Sequence, residues 1–259
     1  MPNRTISTVG PTSERAAGPF RQAASAEKRL KLFAWGGSGV GKTTLALQFP
    51  KPVLIDLEGG ADLYGKRFDF SVVRASTADQ VASAVEWLAT NPHEFETLVI
   101  DPISVYWDAL QKKWSDIFLL RNKGTRAHKH EFYEFQPRDW MTMKAEFKHL
   151  IRGLVALDMN VIVTARQKVL YADGGFMKAI GETFDCEKSL PYLFDVVVRL
   201  YCDEKGRYLG QCLKDRSGHV PTGEFEPAYE KFQRWFGLAE STNTASPETG
   251  NREQNREEV

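Results

Sequence analysis

The stretch from Lys31 to Thr44, KLFAWGGSGVGKTT, constrains this chain more than any other. A short apolar run, Leu32-Phe33-Ala34-Trp35, stops at a cluster of glycines. Gly41-Lys42-Thr43-Thr44 then opens onto Leu45, Ala46 and Leu47, which favour helix. Strand, tight loop and helix follow in that order, and the spacing fits G-x-x-x-x-G-K-S/T with Gly36, Gly41, Lys42 and Thr43 at its fixed points. Glycines let such a loop turn its N–H groups inward and let a polyphosphate come close. The start of the helix adds positive partial charge. Gly36, Gly37, Ser38, Gly39, Val40, Gly41, Lys42, Thr43 and Thr44 are therefore the expected phosphate cradle. Lys42 would reach the outer phosphates, and the Thr43 hydroxyl would hold Mg²⁺. The competing reading is a glycine-rich turn without a ligand, and the flanking strand and helix count against it.

Downstream, strand-like runs alternate with helical ones. Pro52–Asp56, Thr97–Asp101 and Asn160–Ala165 are short, continuous apolar strands. Thr77–Ala89, Val105–Leu119 and Trp140–Leu157 carry helical spacing. Strands buried on both faces predict an α/β fold, a mostly parallel sheet sandwiched by helices. After Phe194 the rhythm changes. Val196–Tyr201, a turn at Asp203-Glu204-Lys205-Gly206, and Tyr208–Leu213 predict a C-terminal antiparallel hairpin, followed by a short helix near Pro227–Phe236.

The chain has 259 residues and a formal net charge of zero, so attraction to nucleic acid would have to come from local patches. Residues 1–28 are rich in Ser, Thr, Pro, Ala and Gly and predict a disordered arm; residues 239–259 predict a disordered acidic tail. Between them, 29–238 is expected to form one core. Cys186, Cys202 and Cys212 lie far apart with no C-x-x-C pair, which predicts buried free thiols rather than zinc or disulfides. The histidines show no metal spacing. No apolar run is long enough to span a bilayer, and the N-terminus lacks the apolar core of a signal peptide; the expectation is a cytoplasmic protein without membrane contact.

Nucleotide hydrolysis needs a carboxylate for Mg²⁺ and a group that orients or deprotonates water. Asp101 ends the run Leu98-Val99-Ile100 and is the candidate metal-side acid, its alternative being a helix N-cap. Asp56-Leu57-Glu58 closes the strand that follows the phosphate-loop helix. Strand alternation would put Asp56 and Glu58 on one side, at the carboxyl end where ligands bind. Glu58, followed by Gly59-Gly60, is the candidate catalytic base.

In this order of motifs the chain resembles RecA-type recombination ATPases. The likeness rests on Gly36–Thr44, the I-D-x-E pattern at Ile55–Glu58, the Asp101 strand, and the strand ending Thr164-Ala165-Arg166-Gln167. Lys214-Asp215-Arg216-Ser217-Gly218 is similar to the K-N-R-F-G motif of RadA-like proteins, with Ser217 where the family has an aromatic. The core-only, phage-encoded members, which include single-strand-annealing proteins, are the most similar, over about Leu30 to Pro221. The zinc cysteines and protease-like domain of RadA, and the N-terminal oligomerisation region of RecA, have no recognisable counterpart. The resemblance implies a RecA-like P-loop NTPase fold that hydrolyses ATP with Mg²⁺ in a bacterial or phage-infected cell. It implies that Glu58 activates water and that Arg166 or Gln167 senses the γ-phosphate. It also implies that Lys214 and Arg216 reach the ATP of a neighbouring subunit, in a ring or filament of this chain.

Two stretches are candidates for DNA. Arg121, Lys123, Arg126 and Lys129 are followed at once by Phe132 and Tyr133, cations for phosphates and aromatic faces for unpaired bases. The Gly-containing segment Lys168–Thr183, with Tyr171, Phe176 and Lys178, is expected to be a loop, and it lies where the resemblance implies a DNA-contacting loop. The expected function is a DNA-stimulated ATPase acting on single-stranded DNA in annealing or strand exchange, with itself and a single-strand-binding protein as partners. A P-loop kinase would leave Glu58, Lys214 and Arg216 without a role. A nucleotide-gated interaction module without DNA is the other alternative. An AAA+ motor or loader ranks lower, because no arginine-finger and sensor-arginine pattern in a helical lid is seen.

Overall fold

The computed structural model describes residues 29–121, 135–172 and 178–243. At its centre is β1 (Lys31–Gly36), buried along its whole length. Alternation along the strand sends Phe33 and Trp35 into one apolar cluster and Leu32 and Ala34 into the other. β1 runs parallel to β5 (Asn160–Tyr171) on one side and to β7 (Val196–Cys202) on the other. β4 (Thr97–Asp101), β2 (Pro52–Asp56) and β3 (Ser71–Arg74) continue the parallel sheet beyond β5. Beyond β7, the hairpin partner β8 (Tyr208–Asp215) and the short β9 (Glu224–Phe225) are antiparallel. The sheet order is β3-β2-β4-β5-β1-β7-β8-β9, with β6 (Ala179–Phe184) paired off this path to the outer half of β5.

Helices cover both faces. α1 (Lys42–Leu47) and α6 (Tyr229–Phe236) pack through Leu45, Leu47, Tyr229 and Phe232 on one side. α2 (Ala78–Thr90), α3 (Ile103–Arg121) and α4 (Pro137–Ala156) cover the other, with Val81, Tyr106 and Phe147 among the buried contacts. Thr77 and Gln80 form a capping box that starts α2. Lys113 ties the outer helices together through Asp79 and Glu146, each at 2.7 Å. The short α5 (Leu190–Leu193) leads into β7. Among the described residues no helix is long and apolar enough to cross a membrane.

The parallel sheet, the two helical layers and the terminal hairpin match the α/β expectation. Three features do not. β3 was not anticipated, because an edge strand of four exposed residues carries no buried pattern. β5 continues six residues past Ala165 and pairs with β6, so the segment expected as a loop at 168–183 is in its described part a two-stranded ribbon. Lys168, Val169, Leu170 and Tyr171 are all exposed, and strand there follows from pairing rather than burial.

The order also extends past residue 238, where the acidic tail was expected to begin. Ser241 Oγ donates to the Gln48 carbonyl at 2.6 Å, and the Tyr229 hydroxyl donates to the Ala239 carbonyl. Asn243 is buried and clamps Asp69, accepting from its N–H at 3.1 Å and donating to its carbonyl at 2.7 Å. The expected arm at 1–28 and the remainder of the tail lie outside the described residues. All three cysteines are free, but only Cys186 is buried, where desolvation pushes its thiol pKa up; Cys202 is exposed and Cys212 half-buried.

Lys31, at the start of β1, is buried and donates to the carbonyls of Leu157 (2.7 Å) and Met159 (2.6 Å) at the end of α4. Burial pulls its pKa from 10.5 down to about 8, against the pull of Asp158 and Asp195 in the other direction. Between those values the unfolded chain holds a proton that the folded chain has lost, so stability contributed by this group rises with pH. Relative to Lys31→Met, the wild type is expected to gain about 2 kcal/mol between pH 8 and pH 10 in urea melts. The comparison cancels the opposing loss from Cys186, which both proteins share. Parallel pH profiles would show that Lys31 stays protonated in the fold.

Candidate nucleotide site

The carboxyl ends of β2, β4, β5 and β1 lie side by side, and the phosphate loop leaves from the last of them. Gly36 is in register with Arg166 on one side and Leu200 on the other. A Cβ at Gly36 would meet the Leu200 carbonyl oxygen at 2.1 Å, so no other residue fits this exit from the sheet. Gly41, at φ +89°, then turns the chain into α1. Lys42 folds back over the loop, donating to the carbonyls of Gly37 at 2.5 Å and Gly36 at 3.0 Å. Its ammonium pKa is lowered chiefly by burial, while Asp101 and Glu58 oppose the shift. A cation held among loop carbonyls in this way stands where it can exchange them for phosphate oxygens.

Thr43, one residue on, donates its hydroxyl proton to Asp101 Oδ2 at 2.5 Å. The other oxygen of Asp101 accepts from the Thr164 hydroxyl on β5. Burial raises the Asp101 pKa, and the two threonine hydroxyls hold it back. A hydroxyl and a carboxylate brought together at the head of α1 are the hard oxygen donors that Mg²⁺ takes alongside phosphate. Thr43 and Asp101 therefore fit the ion, which when bound would offset the charge of the phosphates.

Glu58 stands on the turn after β2, half exposed, and is held by Arg166. The guanidinium approaches Glu58 Oε1 through Nε at 2.7 Å and Nη2 at 2.5 Å. Arg166 is placed from below by its own N–H, which donates to Ser104 Oγ at 3.0 Å. The pair joins residues far apart in sequence, and with both members about half exposed it is worth little to stability and is readily opened. Gln167, the next residue on β5, points to the opposite side of the strand and pairs across the ribbon with Phe184.

Lys42, Thr43, Asp101, Glu58 and Arg166 are thus brought to one end of the sheet. Lys214 and Arg216 are not. Lys214 is in register with Val197, at the amino end of β7, roughly 10 Å along the strands from the start of the phosphate loop. There Lys214 donates to the carbonyls of Pro191 (2.7 Å) and Phe194 (2.6 Å), with its pKa lowered mainly by desolvation. Arg216 pairs with Asp195 at 3.2 Å and bonds the Tyr192 carbonyl at 2.6 Å. Neither joins the site of this chain.

Of the DNA candidates, Arg121 is the exposed last residue of α3, Tyr171 is exposed at the end of β5, and Lys178 is exposed just before β6. Lys168 is engaged by Asp185 at 2.9 Å. Lys123, Arg126, Lys129, Phe132, Tyr133 and Phe176 lie outside the described residues.

Two contributors escaped sequence reasoning, Thr164 and Ser104, and a third, Asp56, was expected on the ligand side with Glu58 but is turned inward. For Thr164 the signal was available, a single fully buried hydroxyl closing the run Asn160–Thr164. Ser104 and Asp56 act on backbone amides, and only the folded chain shows which.

A search of curated proteins finds no match to this sequence. A family model described as an AAA domain matches residues 28–232, which takes in the whole sheet and the start of α6. That class, nucleotide-binding ATPases on an α/β P-loop fold, accords with the loop, the Thr43–Asp101 pair and the acid just described, although sequence motifs alone ranked an AAA+ motor lower. The chain belongs to the AAA domain family.

Proposed function

We propose that this protein is an Mg²⁺-dependent ATPase that acts on single-stranded DNA, in annealing or strand exchange, as a homo-oligomer. The observation that carries the reading is that two pairs, Thr43 with Asp101 and Glu58 with Arg166, meet at the same end of the sheet as the phosphate loop. In this reading Lys42 binds the outer phosphates and Glu58 takes the proton of the attacking water. Arg166, once drawn to the γ-phosphate, releases Glu58 for that task.

β5 supports a link to DNA. The strand that carries Arg166 runs on as the ribbon that presents Lys168 and Tyr171, and the Arg166 carbonyl accepts from Asp185 N–H at the ribbon's root at 2.7 Å. Tyr171 offers a stacking face, and Lys178 and Arg121 offer cations. The role of Lys214 and Arg216 at a neighbour's nucleotide, and a single-strand-binding protein as partner, belong to the same proposal and rest on the resemblance to RecA-type proteins. Val169, Leu170 and Ile180, all exposed on the ribbon, favour a second reading in which the ribbon grips a protein under nucleotide control.

The discriminating measurement is the ATPase rate with and without single-stranded DNA, at low salt and over a range of protein concentrations. Stimulation of at least about tenfold, lost on raising the salt, is expected if phosphates are contacted. A rate indifferent to DNA overturns the DNA part and leaves the ATPase with a protein partner.

A further inference from the structure

Asp56 carries one more piece of the site. Strand alternation would place it beside Glu58, facing the ligand. In the structure it is 5% exposed and turned inward, with both carboxylate oxygens committed to the backbone that follows it. Oδ1 accepts from the N–H of Glu58 at 3.0 Å and of Gly59 at 2.8 Å, and Oδ2 accepts from the N–H of Ala61 at 2.9 Å. The residue between is anchored separately, since Leu57 N–H donates to the carbonyl of Asp101 at 3.0 Å. The backbone on both sides of Glu58 is therefore pinned, on one side to Asp101 itself and on the other to a buried carboxylate.

We infer that Asp56 is a positioning residue for Glu58: it sets the turn from which Glu58 reaches the attacking water. The inference rests on the reading of Glu58 as the base. The physical case is the cost of leaving the turn unheld. Without the carboxylate the amides of Glu58, Gly59 and Ala61 lose their acceptor, and that of Ala61 is buried. Arg166 orients the tip of the Glu58 side chain, but it cannot fix where the Cα stands. A misplacement of about 1 Å in a catalytic group costs on the order of 100-fold in rate.

The test is a set of variants of the full chain, assayed for kcat and KM at saturating Mg²⁺. Asp56→Ala is expected to lower kcat roughly 30-fold and to change KM for ATP less than about threefold, because the phosphate loop is untouched. Asp56→Asn keeps an acceptor oxygen for Glu58 and Gly59 and loses the one for Ala61; it is expected to recover most of the rate. In a Glu58→Gln background, Asp56→Ala is expected to add less than about a twofold loss, since the group it positions is gone. Independent, multiplying losses in the double variant, or a raised KM with unchanged kcat, would overturn the inference. If Asp56→Ala does not fold, the cycle with Glu58→Gln is run with Asp56→Ser, whose single short hydroxyl cannot hold all three amides. Should Glu58→Gln itself turn over at the wild-type rate, the base assignment fails and this inference falls with it. A slow Glu58→Gln beside a fully active Asp56→Ala removes the positioning role alone.

Discussion

ATP turnover is expected to fall at least about 100-fold, to background, when Lys42 is replaced by alanine, with the fold intact. Lys42 is the cation of the loop itself, and its ammonium is stored among the carbonyls of Gly36 and Gly37 rather than in a stabilising ion pair. Removing it therefore takes away phosphate attraction while leaving the core contacts of α1, made by Leu45, Ala46 and Leu47, untouched. Circular dichroism melts should move little, and a fluorescent ATP analogue should bind weakly or not at all. Wild-type turnover in this variant would remove the phosphate loop from the reaction.

The second large effect is expected at Glu58. Glu58→Gln keeps the length of the side chain and a hydrogen bond to Arg166, yet it cannot take a proton from water. General-base removal costs about 10² to 10⁴ in rate. ATP binding should persist, so the variant should trap nucleotide in a single-turnover experiment. An undiminished rate would show that the carboxylate serves only as the partner of Arg166.

These two residues differ in how they could be found. Lys42 is legible from its neighbours alone, because the strand, the glycines and the helix start that give it a role are contiguous. Glu58 is half legible. Its place after β2 and before two glycines marks it, but its partner lies on β5, beyond three helices. The strand order β2-β4-β5-β1 brings them together. Asp101 shows the same division. Its position at a strand end was readable, whereas Thr164, whose hydroxyl offsets the rise that burial gives its pKa, was not assigned.

Lys214 and Arg216 were legible as a motif, but not their place in the sheet. The hairpin was expected from its turn, but a hairpin has no address until a neighbouring strand sets its register. With Val196 opposite Leu32, both cations fall at the amino end of the sheet. The ribbon beyond Ala165 was missed for a related reason. Its residues are exposed, so no buried pattern announced it, and β6 alone makes it a strand.

What the amino-acid sequence by itself determined is local and periodic: the phosphate loop, the alternation of buried strands with amphipathic helices, and the chemical identity of Lys42, Thr43, Asp101 and Glu58. Each depends on spacing within a few residues, where backbone geometry leaves few choices. Only the tertiary structure decided which carboxylate turns inward, which cation meets Glu58, and how far Lys214 stands from the phosphate loop. Those outcomes depend on strand order and register, which are fixed by packing between segments distant along the chain.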